Sequence, residues 1–208
     1  MTFSLFIQSL INGLNQGAIY ALIALGYTMV YGIIRMINFA HGDFIMIGSY
    51  TLFYTIPLMI HTGMPAWMSV FLAVVVCAAV GVIVEVAAYK PVRRAGAMSA
   101  LITAMAMSLL LENLAMLLFG AKPHNVQKIF SLPSVNFMGV PLPLNVILTI
   151  LIGIVMMTGL QIFIKKTRMG KAMRAVPQDR DASILAGINV DRVITVTFAI
   201  GSALAAIA

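Results

Sequence analysis

His41, Asp43, Glu85 and Glu112 are ionisable residues set within or beside long apolar runs. Such groups are rare in a bilayer, where they face a bundle interior or a water-filled cavity and carry ions, relay protons or lock helices together. A proton relay needs several of them at intermediate depth. Sequence position puts only Glu112, with Asn113 beside it, well inside a span. His41 and Asp43 open a span near its cytoplasmic boundary, and Glu85 lies about one turn before Lys90, within snorkelling reach of the surface. The expected role of Glu112 is therefore pairing inside the bundle, ahead of lining a pathway. Asn12, Gln16 and Tyr20 recur every fourth residue on one helical face, with Ser9 beside them. There they act as interhelical glue or border a substrate path; Gly13 and Gly17 have the spacing that permits close helix contact.

Soluble-enzyme chemistry is not supported. His41, His61 and His124 fall in separate loops or span ends, without metal-ligand spacing. "RMGKAM" holds a Gly-Lys pair but lacks the upstream glycine and following Ser or Thr of a phosphate loop. Any nucleotide hydrolysis that drives this protein belongs to another chain, and no cofactor or metal is expected.

The elements that must position these residues are membrane helices. Mean hydropathy is +1.04, and 62% of the 208 residues are hydrophobic against 9% charged, far from the roughly 25% charged of soluble domains. A crossing takes about 20 residues, leaving room for about six. The expected fold is an all-α polytopic bundle of about six spans. The first covers about residues 3–34, longer than one crossing, hence tilted or partly interfacial. It is retained, since "MTFSLFIQSL" has neither the basic region nor the cleavage site of a signal peptide. The second runs from about Asn38 to Ile60. Its polar, Gly-interrupted opening "NFAHGDFIMIGSY" predicts a broken or re-entrant helix. The third spans about 66–89, the fourth 98–119 and the fifth 144–164, with a Pro-rich loop at 120–143 before it. The sixth starts near Asp191, and the chain stops within it, as a C-terminally truncated piece of a longer protein would. The lone Cys77 lies in an apolar run and permits no disulfide framework.

Charge supplies orientation. Alternating spans put Arg35, Lys90, Arg93, Arg94 and the basic residues of 165–189 on one side, leaving only Lys122 and Lys128 opposite. Positive-inside sorting then places the N-terminus outside and the large loop in the cytoplasm. The same sorting accounts for the net charge of +7 without a nucleic-acid partner. The loop of 165–190 is a polyion between two spans, displayed to water. After Pro177, "QDRDASILAGIN" predicts one short helix, with Asp179 and Asp181 at its positive end, Arg180 polar, and Gly187 as its stop. Ala182, Leu185 and Ala186 share a face too small for good lipid anchoring and suited to a protein groove.

Two segments, "GLNQGAIYALIALGYTMVYGIIRMINFAHGDFIMIGSY" (13–50) and "RAVPQDRDASILAGINVDRVITVTFAIGSALAAIA" (174–208), resemble the LivH-type permeases of branched-chain amino acid ABC importers. "INFAHGDF" followed by Gly48 is the more specific; the second segment is shared more loosely with related sugar permeases. The resemblance implies a bacterial inner-membrane permease domain over 1–208, part of a hetero-oligomer with a second permease subunit, cytoplasmic ABC ATPases and a periplasmic substrate-binding protein, all amid membrane lipid. It also implies that Asp179 to Gly187 form the helix that couples to the ATPase. Importers of other amino acids, amides or sugars are the alternative, followed by an ion-coupled secondary transporter.

Overall fold

In the computed structural model, residues 3–93, 95–126, 133–137 and 140–208 are described. Six helices among them are long and apolar enough to cross a membrane. They are α1 (Phe3–Ile34), α2 (His41–His61), α3 with its extension (Met68–Val92), α5 (Ala97–Phe119), α6 (Leu144–Lys166) and α9 (Val190–Ile207). The extension of α3 is a π-helical segment, Glu85–Tyr89, followed by the short α4, Lys90–Val92. Two short helices, α7 (Arg168–Ala175) and α8 (Arg180–Leu185), lie in the charged loop. The Pro-rich loop carries a small antiparallel ladder of β1 (Ser134–Phe137) and β2 (Val140–Pro143), with β2 against α1 and α6. Arg94 and Lys128, which entered the charge asymmetry, lie outside the described residues.

α9 is the hub, packed along α1, α2 and α3. Lipid tails are as apolar as the helices, so close backbone approach has to supply the packing. Small residues of α9 allow it. A Cβ on Gly26 of α1 would lie 2.9 Å from the Gly201 carbonyl, and one on Gly81 of α3 would collide with Ser202. The core gathers around this hub toward the loop-bearing end, where Phe44, Tyr89, Met173, Val193 and Phe198 are almost wholly buried.

The second span departs in detail from the sequence expectation. α2 is one continuous helix that takes Pro57 without a break, so the Gly residues of its opening do not interrupt it. The interruption lies just before it. From Arg35, whose φ is +56°, the chain turns back into the bundle without helical structure. α2 begins only where His41 reaches Ile23 and Gly26 of α1. Those residues stand 8–11 positions before the end of α1 at Ile34, about 12–17 Å inward along the helix. Non-helical backbone at such depth is tolerated where protein covers it; Asn38 and Ala40 are both buried.

Candidate functional site

His41 and Asp43 therefore do not sit near the cytoplasmic boundary, because the climbing segment carries them to mid-bundle. Asn38, His41 and Asp43 are each at most 5% exposed. The Tyr89 hydroxyl donates to Asn38 Oδ1 at 2.8 Å, and His41 Nε2–H donates to the Ile23 carbonyl at 3.2 Å. That acceptor places the His41 proton on Nε2. Asp43 is buried, and its Oδ2 has no hydrogen-bond partner among the described residues. Cys77 hydrogen-bonds the Phe44 carbonyl at 3.3 Å and, with Ala206, packs against Gly48. The "INFAHGDF" motif is thus a buried polar plug joining α1, α2 and α3.

Glu85 is the largest difference from expectation. It does not snorkel; it is fully buried. Arg93 pairs with one carboxylate oxygen and the Thr195 hydroxyl donates to the other at 2.7 Å. The Arg93 guanidinium, itself only 5% exposed, also donates to Asp191 at 2.6 Å, and Lys90 completes the cluster 3.5 Å from Asp191. A buried carboxylate must be paired to persist as a charge. The π-helical segment that starts at Glu85 changes the helical register between Glu85 and Arg93, the sort of bulge often found at functional sites. The cluster ties the end of α3 to the first turn of α9. Sequence held a signal for it: an acid inside an apolar run, an arginine eight residues on, and an aspartate opening the next span.

Glu112 is exposed on α5, and none of the described residues forms an ion pair or hydrogen bond with its carboxylate. The expected bundle partner is absent among the described residues. Instead Glu112 and Lys122 border one open groove of about 420 Å³ with Met46, Tyr50 and Met116, their charges not in contact. Beside it, Tyr50 stacks on Phe119 at 4.4 Å between ring centres, and His124 lies against Phe53. Asn12, Gln16 and Tyr20 also point outward.

The charged loop folds back onto the bundle. Thr167 caps α7, accepting from the Gly170 amide at 2.9 Å; Gly170 and Met173 are buried while Arg168, Lys171 and Arg174 are exposed. α8 starts later than Pro177 would have it: Asp179 is its N-cap, accepting from the Ala182 amide at 2.9 Å, which satisfies an otherwise unpaired donor. Its end is a Schellman turn. Gly187 at φ +80° hydrogen-bonds Ile184, and Ile188 hydrogen-bonds the Ser183 carbonyl. Ser183 is buried toward the bundle, while Asp179, Arg180, Asp181, Ala182, Leu185, Ala186 and Gly187 are exposed, Leu185 at 89%.

Known proteins resemble this chain in sequence. The profile of the family described as "Branched-chain amino acid transport system / permease component" matches residues 9–208. The high-affinity branched-chain amino acid transport system permease protein BraD of Pseudomonas aeruginosa is 41% identical, over 98% of this chain and 69% of its own. LivH of Escherichia coli, of the same description, is 42% identical over 99% and 70%. A probable branched-chain amino acid transport permease protein of Methanocaldococcus jannaschii is 25% identical over 90% and 60%. No solved structure matches the chain. A match over almost the whole chain, with relatives above 40% identity, makes this protein a member of the branched-chain amino acid transport system permease family.

Proposed function

We propose that this chain is an inner-membrane permease subunit of an ATP-driven importer of leucine, isoleucine and valine, and that α8 is the helix through which a separate cytoplasmic ATPase acts on it. In this reading the N-terminus is outside, the loop of 165–190 is cytoplasmic, a periplasmic binding protein delivers substrate, and a second permease subunit completes the path. The observation that carries the proposal is the exposure of Ala182, Leu185 and Ala186 on a helix capped at both ends and anchored by buried Ser183. A leucine 89% exposed on a charged loop is apolar surface prepared for a partner. The route inward is short, because Asp191, six residues after Leu185, is held by Arg93 and Lys90. A push on α8 is thus delivered to α3 and α9 together. The permease path itself is supported by the outward-facing Asn12, Gln16, Tyr20 and Glu112, since lipid would leave these polar groups unsatisfied.

Ala182→Trp tests the docking face. Overpacking a fitted interface costs about 1–3 kcal/mol, which lowers ATPase affinity about 5- to 150-fold. The measurement is recovery of the ATPase with detergent-solubilised permease, beside ATP-dependent leucine uptake in vesicles with binding protein in excess. Undiminished recovery and uptake would exclude α8 as the coupling element.

A further inference from the structure

Glu112 of α5 and Lys122, just beyond that helix, carry opposite charges and line one open cavity of about 420 Å³ without touching. Neither has a charged partner among the described residues. Glu112 stands seven residues before the end of α5 at Phe119, about 10 Å into the span. An ionisable group at such depth is costly and marks a substrate or ion route. A second cavity, of about 160 Å³, adjoins the first and shares Met46, Tyr50, Lys122 and Pro123 with it. Phe53 and Val126 add apolar walls there. The segment that carries Lys122 is held against α2, since Phe119 stacks on Tyr50 and the His124 ring centre lies 4.6 Å from that of Phe53. One continuous groove therefore presents a carboxylate, an ammonium and, beside the ammonium, an apolar recess. Its size falls among small-molecule sites, which run to about 300–1,000 Å³.

We propose that this groove binds a free α-amino acid with an apolar side chain, its ammonium at Glu112, its carboxylate at Lys122 and its side chain in the smaller cavity. The spacing suits it. Two charge-assisted hydrogen bonds of about 2.8 Å, with about 3.5 Å between amino nitrogen and carboxylate oxygen, span about 9 Å. That is close to the rise of about 10 Å from Glu112 to the end of α5. A simple anion would leave Glu112 unpaired, an amine would leave Lys122 unpaired, and a lipid tail would leave both. A molecule with both charges satisfies both. In the orientation proposed above, residues 120–126 are outside, so the groove opens on the side where a binding protein releases its cargo. The site deepens the importer reading, on which it rests, by naming where the substrate first meets this subunit.

The test is equilibrium binding of radiolabelled leucine to the assembled transporter in nanodiscs, without binding protein. Beside it, ATP-driven uptake is measured for the same complexes in vesicles with binding protein supplied. Leucine should bind saturably and be displaced by isoleucine and valine. Two analogues, 4-methylpentanoate and 3-methylbutylamine, each lack one of the charges and should compete about tenfold to a hundredfold less well. Lys122→Gln should weaken leucine binding about tenfold, and Lys122→Arg should retain most of it. Glu112→Gln, which keeps a carbonyl acceptor, should weaken it less, about threefold. Val126→Trp, narrowing the smaller cavity, should weaken leucine about fivefold or more and alanine little. Normal uptake by the unaltered complex, with leucine binding unchanged in Lys122→Gln and Val126→Trp, would overturn the site and leave the importer reading standing. Lower recovery of the second permease with Lys122→Gln, at unchanged leucine affinity, would mean that charges of that subunit fill the groove, and would overturn the site too. No leucine, isoleucine or valine uptake by the unaltered complex would overturn the importer reading itself, and the site with it.

Discussion

Two polar regions of this bundle handle the same problem in opposite ways. At the loop-bearing end, Glu85, Arg93, Asp191, Thr195, Asn38 and Tyr89 find partners within the chain. On the outer faces of α1 and α5, Asn12, Gln16, Tyr20 and Glu112 turn outward without partners among the described residues. The helices divide likewise: 56% of the α9 span is buried inside the chain, against 11% for α5 and 6% for α6. Polar groups around α9 hold this chain together. Those on α1 and α5 are exposed and, in the function proposed above, face a second subunit or the path between subunits.

That contrast predicts where mutations hurt. The largest effect should come from Arg93→Leu, which leaves Glu85 buried and charged without its cation. Breaking a buried pair costs about 3–5 kcal/mol, a large part of typical domain stability. The isolated chain should show a strongly lowered unfolding midpoint in detergent, while the double change Glu85→Leu, Arg93→Leu should recover much of the loss. If the single variant unfolds like the parent, the cluster does not hold α3 to α9.

Much of the frame was legible from hydropathy. α1 begins and ends at the predicted residues, and the remaining five spans agree within a few positions, because an apolar run bounded by charge has few other solutions in a bilayer. A short helix before Gly187 was legible too, from the acidic residues near its start and the Gly stop, although it begins later than Pro177 suggests, with Asp179 as its N-cap. Depth was not. Linear distance from Arg35 puts the polar opening of α2 near the membrane face; the non-helical return of 35–40 severs that link. Glu85 was misplaced for a related reason, since Lys90 does approach the surface while the π-helical turn between them aims the carboxylate at Arg93 and Thr195. Tertiary partners decide both, Thr195 of α9, 110 positions away, for Glu85, and Ile23 and Tyr89, 18 and 51 positions away, for His41 and Asn38; local periodicity does not carry them.

A smaller effect is expected on the other side of the comparison. Asn12→Leu with Gln16→Leu should leave the isolated chain as stable as before, because neither side chain has a hydrogen-bond partner among the described residues. Association with the second permease should weaken instead, by about 0.6 kcal/mol for each hydrogen bond lost, or about eightfold for both. Co-purification of the two permeases at dilute concentration reads this directly. A drop in the thermal stability of the single chain, with subunit recovery unchanged, would return both residues to the interior glue of this bundle.

The smallest effect on the chain itself belongs to Glu112, and it is the most discriminating. Exposed substitutions away from caps and networks shift stability within about 0.5 kcal/mol, so Glu112→Gln and Glu112→Leu should unfold alike in the isolated chain. In the assembled transporter they should diverge. The Gln variant retains a hydrogen-bonding group in the groove shared with Lys122 and Tyr50, and should keep most leucine uptake. The Leu variant removes every polar atom of that side chain from the groove and should lose most of it. A destabilised isolated chain in the Leu variant alone would show that Glu112 belongs with the buried plug. Equal and full uptake in both variants would show instead that the groove on α5 borders lipid, and that the path runs along α1.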